Sequence, residues 1–204
     1  MLHLRQFKKY YHHRLVLSVE ELILAPGIYW VQGANGSGKS TLLKSLAGLL
    51  HFEGEVVLNN ACSLRQQTKA YRRLVNFADA EPLFPPYLSG RNMAALFVEA
   101  KNGDATRYIE QMNMLDYIDD PISTYSSGML KKLSLVLAFI GQPALILLDE
   151  PLITMDEASL QVLFRWIREG HEQGVSFLLA SHQAPMDITD TLVVASQTIK
   201  RLTV

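Results

Sequence analysis

The sequence has one cysteine, no long apolar run and no dominant sign of charge. The single cysteine, Cys62, excludes an internal disulfide framework and is compatible with a reducing compartment. The richest apolar stretch, residues 133–140, is much shorter than the roughly 18 residues that a membrane-spanning helix needs. The first residues do not combine a cationic region with an apolar one, so they predict no secretory signal. We therefore expect a cytoplasmic protein.

The charge balance argues against a nucleic-acid partner. Lysine and arginine number 19 and aspartate and glutamate number 20, so the formal net charge is −1. Such a chain has no bulk positive field to attract a polyanion. The short basic cluster at residues 8–14 is interpreted as a solvated loop. No nucleic-acid binding is predicted.

The apolar pattern predicts an α/β fold with a largely parallel core sheet. Short apolar runs alternate with helical segments, without internal repeats or flexible linkers, and the length and 49% hydrophobic content suit one domain, residues 1–204. Between residues 90 and 118 the apolar residues recur three or four apart, which indicates a helical insert. Strands are expected at residues 15–19, 28–32, 55–58, 144–148 and 175–180, followed by a hairpin at 191–202; the first and third belong to an antiparallel N-terminal layer.

One segment carries the strongest functional signal, a phosphate-binding loop of the form G-x-x-x-x-G-K-[ST]. Glycines let successive backbone N–H groups point inward at a phosphate. Lys39 would supply a point charge to the β- and γ-phosphates, and the Ser40 hydroxyl is the expected Mg²⁺ ligand. An apolar strand precedes the loop and a helix follows it, as the motif requires. The nucleoside triphosphate site predicted here comprises Gly33, Ala34, Asn35, Gly36, Ser37, Gly38, Lys39, Ser40 and Thr41.

A second motif, residues 144–151, is an apolar run that ends in two carboxylates and a proline. A buried strand beside the loop strand would bring Asp149 next to the metal. Glu150 would then lie where it can orient and polarise the water that attacks the γ-phosphate. We predict Asp149 as a metal-side residue and Glu150 as catalytic.

Together with residues 124–129, these motifs resemble the ATP-binding cassette (ABC) ATPases that power transporters, and the resemblance covers essentially the whole chain. Ser126, Ser127 and Gly128 occupy the family's signature about twenty residues before the carboxylates. Ser126 and Ser127 are also good caps for the apolar helix that follows. The resemblance implies that this helix N-terminus faces the γ-phosphate bound by a second subunit, so that ATP joins a head-to-tail dimer.

Three further positions fit the family pattern. His182 follows a buried strand and resembles the switch histidine that contacts the γ-phosphate and the attacking water. Asp156 matches the aspartate of the loop that crosses the dimer interface. Tyr10 lies at the family's distance from Gly33 for the aromatic that stacks on adenine, with Tyr11 as the adjacent candidate.

The chain also departs from the family. The expected metal-sensing glutamine is absent, and Ala80 or Glu81 takes its position. In the signature, Tyr125, Ser127 and Met129 replace leucine, glycine and glutamine, a variant that looks like those of export-type cassettes. The hydrolysis rate and its coupling to the partners therefore stay open.

The resemblance implies a P-loop NTPase with an ABC-type core sheet, an antiparallel N-terminal β layer, and a helical subdomain at about residues 85–135 inserted in a RecA-like core. It implies an ATP- and Mg²⁺-dependent ATPase subunit that drives a separate transmembrane permease, with export favoured. Its partners would be a second ABC subunit, identical or different, and the permease, which would hold it on the inner face of the membrane.

Three alternatives remain open. A soluble ATPase of the same fold could remodel nucleic acid or ribosomes, but such proteins usually carry coiled-coil inserts, paired cassettes or basic extensions. An unrelated phosphate-loop enzyme, for example a small-molecule kinase, would not need the signature helix. A cassette that dimerises on ATP but hydrolyses it poorly is compatible with the missing glutamine.

Overall fold

The structure is a computed structural model that describes residues 1–184, 188 and 190–203. Within this part of the chain, helices and strands follow one another in the order expected of an α/β protein. The strands are β1 Leu2–Tyr11, β2 Arg14–Leu24, β3 Ile28–Gln32, β4 Glu53–Leu58, β5 Cys62–Ser63, β6 Val75–Ala78, β7 Leu145–Asp149, β8 Ser176–Ala180, β9 Asp190–Ala195 and β10 Thr198–Thr203. The α-helices are α1 Lys39–Leu46, α2 Thr68–Leu74, α3 Gly90–Lys101, α4 Thr106–Gln111, α5 Ser127–Phe139 and α6 Glu157–Glu172.

The larger sheet positions the predicted site. In the described residues it has the strand order β10-β9-β3-β8-β7-β6, and all its pairs are parallel except β9 with β10. Every residue of β7 and β8 is buried, as continuous apolar runs in a doubly covered parallel sheet should be. Because the strands run in the same direction, the segments that follow β3, β7 and β8 meet at one edge, where α/β proteins assemble their sites.

The smaller sheet is antiparallel, with the order β2-β1-β4-β5 in the described residues. One apolar core, which includes Phe7, Leu43 and Leu178, joins this sheet to α1 and one face of the larger sheet. A second core, which includes Trp166 and Phe177, lies on the other face under α3, α4, α5 and α6. The sheet is therefore covered on both faces.

The expected strands are present, and the antiparallel N-terminal layer is confirmed by β2 and β4. Three strands were missed, β1, β5 and β6. In β1 the alternation of buried and exposed residues breaks at Gln6, whose φ is 47°, and the pairing with β4 shifts register there. The basic cluster was wrongly interpreted as a loop, because residues 8–11 complete β1 and only residues 12 and 13 form the turn before β2.

The helical segment begins and ends at recognisable caps. Ser89 caps α3 by accepting a hydrogen bond from the Asn92 N–H, and the Asn92 side chain bonds back to the Ser89 N–H. Pro121 precedes a short 3₁₀ helix, Ile122–Thr124, and α5 follows. No helix in the described part of the chain is long and apolar enough to cross a membrane.

Candidate active site

The loop between β3 and α1 is held in a shape that only glycine permits at two positions. A Cβ on Gly33 would lie 2.5 Å from both Ser37 Oγ and the Val194 carbonyl oxygen. Gly38 has a φ of 109° and forms the N-cap of α1, a left-handed conformation that side chains rarely adopt. The backbone N–H groups of the loop therefore lie at the N-terminus of α1, where the helix dipole favours an anion.

Lys39 places a cation inside this loop. Its Nζ donates hydrogen bonds to the carbonyl oxygens of Gly33 at 2.8 Å and Ala34 at 3.2 Å. The residue is 7% exposed. Main-chain carbonyl oxygens thus hold the ammonium group over the loop. When a nucleotide binds, phosphate oxygens can replace these carbonyl oxygens as acceptors.

Asp149, at the end of β7, is a buried carboxylate with unmet hydrogen-bonding capacity. It is 1% exposed, and neither carboxylate oxygen has a hydrogen-bond partner among the described residues. Burial raises its pKa, while the nearby Ser40 hydroxyl acts in the opposite direction. A buried carboxylate without a partner is costly, and carboxylate and hydroxyl oxygens are the ligands that Mg²⁺ prefers. The donor set fits a divalent cation.

Glu150 and His182 face each other across the ends of β7 and β8. His182 Nε2 lies 3.4 Å from Glu150 Oε1. Glu150 has a φ of 44°, and its N–H donates to the Ala180 carbonyl oxygen at 2.8 Å. This bond to β8 holds the uncommon left-handed conformation, which turns the side chain out of the strand direction.

Most of the phosphate loop and the Glu150–His182 pair line one cavity of about 770 Å³, a size typical of small-molecule sites. The loop residues 35–41, Glu150 and His182 contribute to it, together with Tyr11 and Arg14. Of the two candidates for stacking on adenine, Tyr11 lines the cavity and Tyr10 does not; the stacking itself stays a prediction. Successive side chains of a strand point to opposite faces, and the pairing of β1 with β2 shifts register between Lys9 and Tyr10.

The signature residues lie outside this cavity, at the N-terminus of α5. The Ser126 hydroxyl accepts a hydrogen bond from the Met129 N–H at 3.3 Å, and the Met129 sulfur accepts one from the Ser126 N–H at 3.4 Å. Ser126 and Ser127 are exposed, and Gly128 is half-buried. The free N-terminal end of α5 is therefore open to a second molecule.

Asp156 caps α6 and forms an ion pair with Lys132 on α5, the helix that begins at the signature residues. Its Oδ1 accepts a hydrogen bond from the Ser159 N–H at 2.7 Å, and its Oδ2 lies 2.9 Å from Lys132 Nζ on α5. The hydrogen bonds from Ser159, followed by that from Lys132, lower the pKa of Asp156 to about 2. It is a carboxylate at neutral pH.

Sequence reasoning missed several residues at or next to the site. Arg14, Ser196 and Gln197 line the cavity, and Lys131 contacts the main chain behind Asp149. No local signal identifies them, because a cation at a strand start, a polar turn or a lysine on a helix is ordinarily solvated.

Comparison with known proteins agrees with this geometry. The family model described as "ABC transporter" matches residues 22–153. The chain is 31% identical over 176 residues to the cytochrome c biogenesis ATP-binding export protein CcmA of Legionella pneumophila, with 85% of this chain and 88% of the relative covered. The chain belongs to the ABC transporter family.

Another relative supports this assignment, and solved structures support the fold. The ABC transporter ATP-binding protein YtrB of Bacillus subtilis is 30% identical over 186 residues, which cover 90% of this chain and 64% of YtrB. A solved ATP-binding subunit of an ABC transporter superimposes with a TM-score of 0.90 at 21% identity, covering 100% of this chain and 90% of that one. A dimeric cassette in a post-hydrolysis state, bound to ADP and Pi, gives 0.85 at 18% identity, with 100% and 98% covered. The chain is an ABC ATP-binding subunit with the P-loop NTPase fold and is an ATPase of this family.

Proposed function

We propose that this ABC subunit hydrolyses ATP in a head-to-tail dimer and thereby drives a separate membrane permease, in the direction of export. The observation that carries the proposal is that the phosphate loop and the Glu150–His182 pair line one cavity, while the orphaned Asp149 carboxylate lies at the end of β7, directly before Glu150. A phosphate cradle, a metal-binding carboxylate and a water-orienting carboxylate are the parts that phosphoryl transfer to water needs.

Residues 33–41 would bind the triphosphate through their N–H groups, with Lys39 against the β- and γ-phosphates. Ser40 and Asp149 would hold Mg²⁺, which neutralises charge on the phosphate oxygens. The Glu150 carboxylate would accept a hydrogen bond from the attacking water and align it with the γ-phosphorus. His182 would hydrogen-bond to the γ-phosphate and keep Glu150 in place, as their 3.4 Å separation permits.

The exposed N-terminus of α5 supports a dimer. Ser127 and Gly128 present backbone N–H groups and the positive end of the α5 dipole to solvent. Together with the Ser126 side chain they would complete the γ-phosphate site of a second ABC cassette. Asp156, coupled to α5 through Lys132, would lie at the same interface. ATP would favour the closed dimer and hydrolysis would remove that preference, which is a population shift between two arrangements.

A permease partner is supported by an exposed apolar surface before α3. Leu83 is 95% exposed and Tyr87 is 80% exposed, beside the segment that we assign as a helical subdomain at about residues 85–135. Exposed apolar residues next to one another commonly mark a protein interface. The permease would hold the subunit on the inner face of the membrane. Export is proposed from the signature variant and because CcmA is named an export protein.

The test is size-exclusion chromatography with light scattering on the Glu150→Gln protein, with and without ATP and Mg²⁺. We expect a shift from monomer to dimer that requires ATP, and a wild-type ATPase activity that the substitution abolishes. In the same experiment, adding Ser126→Arg to the Glu150→Gln protein should block the α5 N-terminus. The doubly substituted protein should then stay a monomer that still binds ATP. A Glu150→Gln protein that turns over ATP at the wild-type rate would refute the catalytic assignment.

A further inference from the structure

Lys131 is a buried lysine that contacts three main-chain carbonyl groups near the site. It is 2% exposed. Its Nζ donates to the carbonyl oxygens of Asp149 at 2.9 Å, Asp79 at 3.0 Å and Ala80 at 3.4 Å. An ammonium group has three donors, so these contacts account for all of them.

The three acceptors belong to different parts of the site. Asp149 ends β7 and carries the orphaned carboxylate, whereas Asp79 and Ala80 follow β6, the neighbouring parallel strand. The donor lies on α5, little more than one turn after the exposed cap Ser126. One side chain therefore joins the metal-side strand end, the loop after β6 and the signature helix.

Charge explains why a lysine is tolerated there. Burial lowers the pKa of Lys131 to about 8, while the carboxylates of Asp149, Asp79 and Glu150 act in the opposite direction and favour the charged form. A buried charge that is fully hydrogen-bonded and surrounded by opposite charge can persist, whereas removing it would leave one buried and two partly buried carbonyl oxygens without these bonds.

The loop after β6 is held from a second side. Asp79 Oδ2 lies 2.9 Å from Lys44 Nζ on α1, the helix that follows the phosphate loop. Ala80 has no side-chain amide with which to reach the metal. The main-chain bonds to Lys131 thus supply a physical connection between this loop and Asp149 that the side chain at position 80 cannot make.

We propose that Lys131 is a positioning residue for ATP hydrolysis. Its hydrogen bonds to the main chain fix Asp149, with its carboxylate, and the loop at residues 79–80 in position relative to α5. The inference rests on the proposed role of Asp149 as a metal ligand. Groups that orient a metal ligand without touching the metal commonly change metal affinity or activity by about 10- to 100-fold when removed.

Lys101 offers a matched control. It is a second partly buried lysine, its pKa is also lowered to about 8 by burial, and its Nζ donates to the carbonyl oxygens of Arg72 and Val75. It lies on α3 and does not line the cavity. Lys131→Met and Lys101→Met therefore both remove a hydrogen-bonded ammonium group. Only Lys131→Met removes a hydrogen bond to Asp149.

The experiment measures thermal stability, kcat and KM for ATP, and the Mg²⁺ concentration that half-saturates the fluorescence change of bound mant-ATP. For Lys131→Met we expect a kcat at least about tenfold lower, a KM within about twofold of wild type, and a Mg²⁺ requirement raised by about tenfold. Lys131→Arg should restore part of the Mg²⁺ response. Lys101→Met should lower stability without moving the Mg²⁺ midpoint.

Equal Mg²⁺ midpoints in the two methionine variants would overturn the inference, because Lys131 would then contribute to stability alone. The Asp149→Asn protein separates this failure from a failure of the proposed function. If that substitution leaves the Mg²⁺ midpoint unchanged, the metal assignment itself is wrong. If it abolishes the Mg²⁺ response while Lys131→Met behaves like Lys101→Met, only the positioning role is refuted.

Discussion

Glu150 and His182 approach each other to 3.4 Å between Oε1 and Nε2, although 31 other residues separate them in the sequence. Their contact depends on the parallel pairing of β7 with β8, in which Asp149 is the partner of Ala180. The pair therefore follows from sheet register, and the left-handed backbone of Glu150 directs its carboxylate toward the cavity.

Because His182 contacts Glu150 at the cavity, we predict that His182 is a catalytic residue. We expect His182→Ala to lower kcat by about 10²-fold, a typical effect of losing a positioned hydrogen-bonding group, with little change in ATP affinity. Steady-state phosphate release and equilibrium mant-ATP binding measure the two quantities. His51→Ala, an exposed histidine whose side chain does not line the cavity, is the control. Equal kcat values for the two variants would contradict the assignment.

Gly33 is expected to be indispensable for nucleotide binding. A methyl group there would meet Ser37 Oγ and the Val194 carbonyl oxygen at 2.5 Å, so Gly33→Ala must displace the loop. We expect ATP affinity to fall by more than about tenfold, since the backbone N–H groups would no longer converge. Gly174→Ala is the control. The φ of Gly174 is 90° and nothing lies within 4 Å of the added carbon, so this substitution introduces backbone strain without a steric clash. That variant should be less stable and bind ATP normally.

Tyr11, and not Tyr10, should contribute to ATP affinity. Tyr11 lines the cavity, and Lys9 Nζ lies 4.7 Å from the centroid of its ring. Stacking of a base on an aromatic ring is worth about 1–3 kcal/mol, so Tyr11→Ala should weaken ATP binding by about tenfold. Titration of mant-ATP by fluorescence compares it with Tyr10→Ala, for which we expect a change of less than about twofold. The reverse order of affinities would restore the original prediction.

Lys101 predicts a pH dependence of stability. Burial lowers its pKa from 10.5 to about 8, so between these pH values the unfolded chain binds more protons than the folded one. Stability therefore rises with pH in this window. After discounting for partial exposure, we expect the free energy of unfolding of the wild type to gain about 1 kcal/mol relative to Lys101→Met between pH 7.5 and 9.5. Urea unfolding at both pH values measures the difference. Parallel pH responses in the two proteins would contradict it.

Much of the fold was accessible from local patterns. Apolar runs of strand length predicted β3, β7 and β8, because a strand covered on both faces needs continuous apolar residues. By contrast, β1 was missed, because a bulge at Gln6 interrupts its alternation and lysines follow. The strands β5 and β6 were missed because their two and four residues are too few to show a period.

Local sequence is sufficient to identify the parts of the site whose residues are contiguous in the chain. The phosphate loop, the Asp149–Glu150 pair and the Ser126 cap each need only neighbouring residues in a fixed order, so their geometry is local and their motifs can be read directly. The length of the apolar runs likewise determined that the core sheet is parallel and buried.

Contacts between side chains that are distant in the sequence follow from the packed structure and cannot be read from local patterns. The placement of Tyr11, and not Tyr10, at the cavity depends on which face of β1 is turned toward the phosphate loop, because neighbouring side chains of a strand point to opposite faces. The position of Lys131 depends on packing that buries its helix against the ends of β6 and β7, where three carbonyl oxygens can replace water around the ammonium group. A lysine on a helix carries no such signal in the sequence, because burial and hydrogen-bond partners are properties of the packed molecule.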